Sequence, residues 1–201
     1  MIVKDLSRTG ASREVFDEVS GLGIKIENLV NNAGIGFYGL FHELDLSLTT
    51  DLLNLNIIAL TELTRLMLPG MVQEGHGMVL NTASTAAFQP GPLMASYYAS
   101  KAYVLSLSEA LSYELEGTGV TITALCPGPT TTDFQRKAKV SRTNVANRFK
   151  MSAAAVAEEG YKGLMKGKSI VVAGPFNKAI PVMSKLVPRF VVARAVKKLN
   201  T

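Results

Sequence analysis

Two side chains four residues apart carry the clearest chemical signal, Tyr97 and Lys101. A helix places that spacing on one face, so the phenol and the ammonium can sit side by side. A neighbouring cation stabilises phenolate and brings a tyrosine down from its ordinary pKa of about 10. Such a tyrosine can exchange a proton with a hydroxyl or carbonyl oxygen near neutral pH. Ser84 lies just past an apolar, strand-like run, and its hydroxyl can donate to that same oxygen while charge develops. Asn56 sits inside a helix-length segment, where a buried amide is costly unless partnered, and by itself it reads as a capping or kink residue. Asn31-Asn32-Ala33-Gly34 ends a strand where open α/β sheets bind ligands, although Asn and Gly also make ordinary turns.

The elements that must position these residues alternate between strand and helix, which predicts an α/β parallel sheet. Met1 to Lys4 reads as a short strand, followed by a helix around Arg13 to Val19 and a strand from Asn28 to Val30. A long helix is expected from Ser47, whose hydroxyl is its candidate cap, to the breakers Pro69-Gly70. Gly77 to Asn81, Val120 to Cys126 and Ser169 to Ala173 read as strands. Ser96 to Glu116 and Ser152 to Met165 read as helices. The stretch from Lys137 to Lys150 is polar and irregular.

With 201 residues, 47% hydrophobic and 18% charged, the chain suits one domain over residues 1–201. No run of about 18 uninterrupted apolar residues predicts a transmembrane helix, and the N-terminus lacks a signal-peptide pattern. One cysteine, Cys126, excludes an internal disulfide, and His42 and His76 lack companions at metal-ligand spacing, so no metal is expected. These features predict a cytoplasmic protein. The net charge of +5 is concentrated late, with no Asp or Glu after Glu159. Residues 178–199 are expected to form one basic amphipathic helix with Met183, Leu186, Val187, Phe190 and Val191 on one side. That side is expected to dock on the core; peripheral membrane contact is the alternative. Nucleic acid is not an expected partner, for want of a recognisable reading motif.

Taken in order, these pieces resemble the short-chain dehydrogenase/reductase family. The match comprises Asn31-Asn32-Ala33-Gly34, Asn56 in Leu55-Asn56-Ile57, Ser84 in Asn81-Thr82-Ala83-Ser84, Tyr97-x-x-x-Lys101, and Pro127-Gly128 with Thr132. The resemblance implies a Rossmann-type doubly wound sheet and an oxidoreductase that interconverts a hydroxyl and a carbonyl with a nicotinamide cofactor. Tyr97 would be the general acid/base and Ser84 would position the substrate oxygen. Lys101 would tune Tyr97 and hold the nicotinamide ribose, and Asn56 would anchor a proton-relaying water. Asp5, Asn31, Ala33 and Gly34 would lie on the adenine side of the cofactor, with Pro127, Gly128, Thr130 and Thr132 near its carboxamide and phosphate. NADP is favoured over NAD by analogy with reductases of this type. Residues 131–160 would cover a small-molecule pocket whose Phe134, Phe149 and Met151 suit an apolar substrate or equally pack on the core.

One family feature is missing. No Thr-Gly-x-x-x-Gly-x-Gly turn occurs, and Gly21-Leu22-Gly23 reads as a helix stop. If Met1 to Lys4 is the family's third strand, about 50 residues of βαβα precede it in the family. The sheet would then be incomplete, lacking its first two strands, and the first strand would either slide beside Asn28–Val30 or be left without partners. The missing turn would have bound pyrophosphate, so this chain is expected to hold the cofactor poorly and to be a fragment of a longer enzyme. The alternative is a catalytically silent binding or scaffold protein that keeps the fold. Helices 48–68 and 96–116 resemble those that pair in family oligomers, so a homo-oligomer fits either reading.

Overall fold

The computed structural model describes residues 1–134, 138 and 150–201. Four parallel strands form the central sheet in the order β1 (Asn28–Asn31), β2 (Gly77–Thr82), β3 (Val120–Cys126) and β6 (Ile170–Val172), β3 and β6 being direct neighbours although a short strand pair lies between them in sequence. That pair, β4 (Thr130–Thr131) and β5 (Met151–Ser152), makes a separate short parallel ladder. Helix α1 (Ala11–Gly21) precedes β1. The first crossover contains α2 (Leu46–Leu53), a π turn (Asn54–Ala59) and α3 (Leu60–Glu74); the second is α4 (Ala95–Glu114) and the third includes α5 (Ala153–Leu164). Alternation along the strands divides the core. Val79, Ile122 and Ala124 face α3 and α4, whereas Leu80 and Leu125 face Val156 and Leu164 of α5. The α/β parallel architecture expected from the alternating pattern is therefore present.

Three expectations for the N-terminal half require correction. Met1 to Lys4 forms no strand and pairs with nothing in the sheet. An extended segment without a neighbouring ladder gains no hydrogen bonds, and Lys4 instead pairs with Glu14 of α1 at 3.2 Å. β1 is thus the sheet edge, with Val30 55% exposed. The cap of α2 is Asp45, whose carboxylate accepts the Ser47 N–H at 2.8 Å; Ser47 sits in the first turn. Pro69 does not end α3, because the buried stripe continues through Leu68 and Met71; the stop is Gly75 in the left-handed region at φ +71°. By length and composition α2–α3 is apolar enough to cross a membrane, and 33% of its apolar window is buried in the fold. Leu52, Asn56, Leu60, Leu63 and Thr64 of these helices are buried, while Leu46 and Ile58 are exposed.

The C-terminal region is two helices, α6 (Ala179–Leu186) and α7 (Arg189–Asn200). Pro188 disfavours helical geometry in the residue before it, and Val187 is extended at φ −95°, ψ 134°. The core-facing residues are Val192 and Val196, while Met183, Leu186, Phe190 and Val191 lie exposed. The side expected to dock on the core is therefore the outer one.

A buried polar string crosses the first layers. Asn31 donates through Nδ2 to Thr64 Oγ1 (3.0 Å) and to Asn81 Oδ1 (2.9 Å). Asn81 Nδ2 donates to Ser108 Oγ (3.0 Å), which itself donates to the Val104 carbonyl. These bonds tie β1 and β2 to α3 and α4.

Candidate active site

The strand C-termini open into a cavity of about 1110 Å³ whose wall includes Ser84, Tyr97 and Lys101. Each has a local reason for its place. Tyr97 and Lys101 occupy the first turns of α4, both buried, with Lys101 Nζ 5.9 Å from the centre of the Tyr97 ring. Lys101 donates to the Thr82 carbonyl at 2.7 Å, at the end of β2. Burial brings its pKa down to about 8, because desolvation penalises the ammonium. Ser84 caps the short turn 85–88: its Oγ accepts the Ala86 N–H at 3.1 Å and donates to the Pro127 carbonyl at 3.4 Å. Cys126, behind this group, is buried and its thiol is pushed up to about 12, so it stays inert.

Asn56 occupies the π turn and is 1% exposed. Its Oδ1 accepts the Ile35 N–H (2.9 Å), while Nδ2 donates to the Ile35 carbonyl (2.9 Å) and to Ser100 Oγ (3.1 Å). Ser100 then donates to the Tyr97 carbonyl at 2.7 Å. Asn56 thereby fixes the loop after β1 against the helix of the Tyr/Lys pair, and both its amide hydrogens are committed. Gly34 is next to this clamp. A Cβ there would stand 3.3 Å from Asn56 Oδ1 and 3.4 Å from Lys101 Nζ, so glycine keeps the floor of the cleft low.

Gly34, Pro127, Gly128, Thr130 and Thr132 all line the cavity, as do Phe134 and Val196. Asn31 does not; its side chain belongs to the buried string, and its neighbour Asn32 lines the cavity instead. Strand alternation sends adjacent side chains to opposite faces, and that signal distinguishes the two asparagines. Ala33 is outside the lining, although Gly34 beside it is within. Asp5 is exposed and also outside it, with its carboxylate accepting from Ser7 N–H and Oγ–H; those bonds hold its pKa below the ordinary value. Phe149 lies outside the described residues, and Met151 packs with the α5 face of the core. Sequence reasoning passed over Tyr98, Phe37 and the α7 residues Val196 and Leu199, all cavity-lining; a stripe on a distant helix gives no linear signal of its target.

A family model described as short chain dehydrogenase matches residues 1–143. The chain belongs to the short-chain dehydrogenase family. Among relatives, it is 37% identical over 126 residues to the ketoacyl reductase HetN of Nostoc sp., covering 63% of this chain and 43% of that protein. It is 35% identical over 138 residues to the very-long-chain 3-oxoacyl-CoA reductase of Anas platyrhynchos, covering 66% and 44%. The chain thus spans less than half the length of these relatives. Among solved structures, a short-chain dehydrogenase from Sphingobium yanoikuyae in complex with NADPH superposes with TM-score 0.75 at 29% identity, covering 83% of this chain and 64% of that one. One from Burkholderia phymatum in complex with NAD gives TM-score 0.77 at 24% identity, covering 92% and 73%. The dehydrogenase fold assignment thus agrees with the site geometry.

Proposed function

We propose that this chain carries the proton-transfer half of a nicotinamide-dependent oxidoreductase that interconverts a hydroxyl and a carbonyl on a small apolar substrate. The observation that carries this reading is the convergence of Ser84, Tyr97 and Lys101 on one cavity, with the Asn56–Ser100 clamp behind them. In the reductive direction Ser84 Oγ–H and the Tyr97 phenol donate to the substrate oxygen, and Tyr97 delivers its proton as charge accumulates there. Lys101, when protonated, favours the phenolate that remains. The cofactor would supply the hydride when bound.

The residues present fit the nicotinamide end of such a cofactor. Gly34 leaves a cradle that a Cβ would crowd, and Lys101 has a single described hydrogen bond, leaving ammonium hydrogens for ribose hydroxyls. Thr130 and Thr132 offer hydroxyls to the carboxamide and phosphate side. We favour NADP, in line with the reductase names among the relatives and the NADPH bound by the Sphingobium yanoikuyae protein. Asn56 would serve as a positioning residue, and a relay water beside it would use Oδ1 or a backbone carbonyl.

Exposed Ile58, Tyr103 and Tyr113 on the first two crossovers support a homo-oligomer built through those helices. Cys126 is buried and needs no oxidising compartment, which suits a cytoplasmic setting. The test is turnover by the purified chain of a panel of apolar ketones and secondary alcohols with NADPH or NADH. Activity that Tyr97→Phe removes supports the reading. Activity unchanged in that variant, or a well-folded sample without turnover, overturns it for this chain.

A further inference from the structure

Helix α7 carries two apolar stripes, and only one has a use inside the fold. Val192 and Val196 pack on the cluster around Leu52, Met94 and Tyr97, and Val196 also lines the cavity. The other stripe faces outward and continues onto α6 across the bend at Val187-Pro188. Leu186 is 75% exposed, Phe190 62%, Val182 58% and Met183 55%. Scattered exposed leucines are ordinary, but a larger exposed apolar patch rimmed by charge marks an interaction site.

Charge selects that partner. Lys178, Lys185, Arg189, Arg194, Lys197 and Lys198 are all exposed on or beside the two helices, and no Asp or Glu occurs in residues 160–201. The nearest acidic group upstream is committed, since Glu159 accepts the Gly174 N–H at 3.1 Å. Arg194 lies over the Phe190 ring at 5.6 Å, so its stem and guanidinium flank the apolar stripe. A second copy brought to this face would oppose like charges, and a nucleic acid would leave the apolar stripe uncovered. Cations bordering exposed Leu, Phe, Val and Met fit one surface best, the interface of an anionic lipid bilayer.

We propose that α6 and α7 form a peripheral docking surface for an anionic membrane. The inner sides of the same two helices contribute Ile180 and Leu199 to the cavity wall. Docking would hold the cavity on the side of these helices away from the bilayer, close to a source of apolar substrate, a consequence that rests on the oxidoreductase reading; the docking itself does not.

The experiment is sedimentation of the full 201-residue chain with vesicles of phosphatidylcholine alone or mixed with phosphatidylserine, over a salt series. Binding is expected to the mixed vesicles only and to weaken with salt. Each of Lys185→Gln, Arg189→Gln and Lys197→Gln should lower partition about fivefold, from roughly 1 kcal/mol per surface cation. Leu186→Asp and Phe190→Asp should abolish it while leaving the unfolding midpoint unchanged, since both side chains are exposed. Equal binding to both vesicle types, or none to either, overturns the proposal. So does a concentration-dependent dimer, seen by light scattering, that Leu186→Asp dissociates, because a second copy would then own the face. Turnover is assayed separately, so failure of docking and failure of the oxidoreductase reading give different results.

Discussion

Replacing Lys101 by methionine should stabilise the chain while disabling the site. In the fold its pKa falls from 10.5 to about 8, through burial. Each unit corresponds to 1.36 kcal/mol, so holding the proton on the buried amine costs about 3 kcal/mol at neutral pH. Methionine keeps the stem's volume and removes that cost, but it also removes the hydrogen bond to the Thr82 carbonyl, a loss of about 1 to 2 kcal/mol. A net gain of about 1 to 2 kcal/mol at pH 7 is expected. The sign with pH follows from proton counts. Between pH 8 and 10.5 the unfolded lysine still holds a proton that the folded one has released, so folding becomes more favourable as pH rises through this window. Below pH 8 both states are protonated and the penalty is complete. The advantage of Lys101→Met should therefore be largest below pH 8 and shrink toward pH 10.5. Urea denaturation of the two proteins in parallel, at intervals from pH 7 to 10.5, reads the difference directly, and other titrating groups largely cancel. A variant less stable than the parent at pH 7, or an advantage that stays flat across the window, would refute the claim that burial costs Lys101 its proton.

Three further outcomes are expected. Tyr97→Phe should lower turnover by about 10²- to 10⁴-fold with little change in the urea midpoint, measured by cofactor absorbance on the active protein. Asn81→Ala should cost about 2 to 3 kcal/mol in urea denaturation, because it strips an acceptor from Asn31 and a donor from Ser108 inside the core. Gly119→Ala should cost more than about 2 kcal/mol, since its Cβ would lie within 1.9 Å of the Gly75 carbonyl oxygen at a backbone φ of +78°; thermal unfolding reports it.

Much of this site is readable along the chain because its parts are short-range. The Tyr97–Lys101 pair needs only one helix, and Ser84 needs only the end of β2. The parts that resist reading depend on who is next to whom. Met1 to Lys4 has strand composition, but strand identity requires a neighbour, and nothing pairs there. Pro69 signals a stop, yet burial of Leu68 and Met71 outweighs one lost hydrogen bond. The C-terminal segment has the expected basic and amphipathic character, but which side faces in was decided by Val192 and Val196 meeting a pocket wall built far away in sequence. Asn31 and Asn32 look interchangeable on paper, and only the pleat separates an internal tie from a cavity wall.

The polar string through Asn31, Thr64, Asn81 and Ser108 has a further consequence. Asn31 lies directly opposite Asn81 in the β1–β2 ladder, so their amide bond exists in one register alone. A slip of one residue would send Asn31 to the other face and leave buried amide and hydroxyl groups unsatisfied, at about 1 to 3 kcal/mol each. Those groups act as a keyed joint, making strand alignment and the seating of two helices a single all-or-none event. An edge strand with only one neighbour is ordinarily free to fray or shift. Here the key keeps β1 in step, and through it the turn carrying Gly34 arrives at the same height on every molecule.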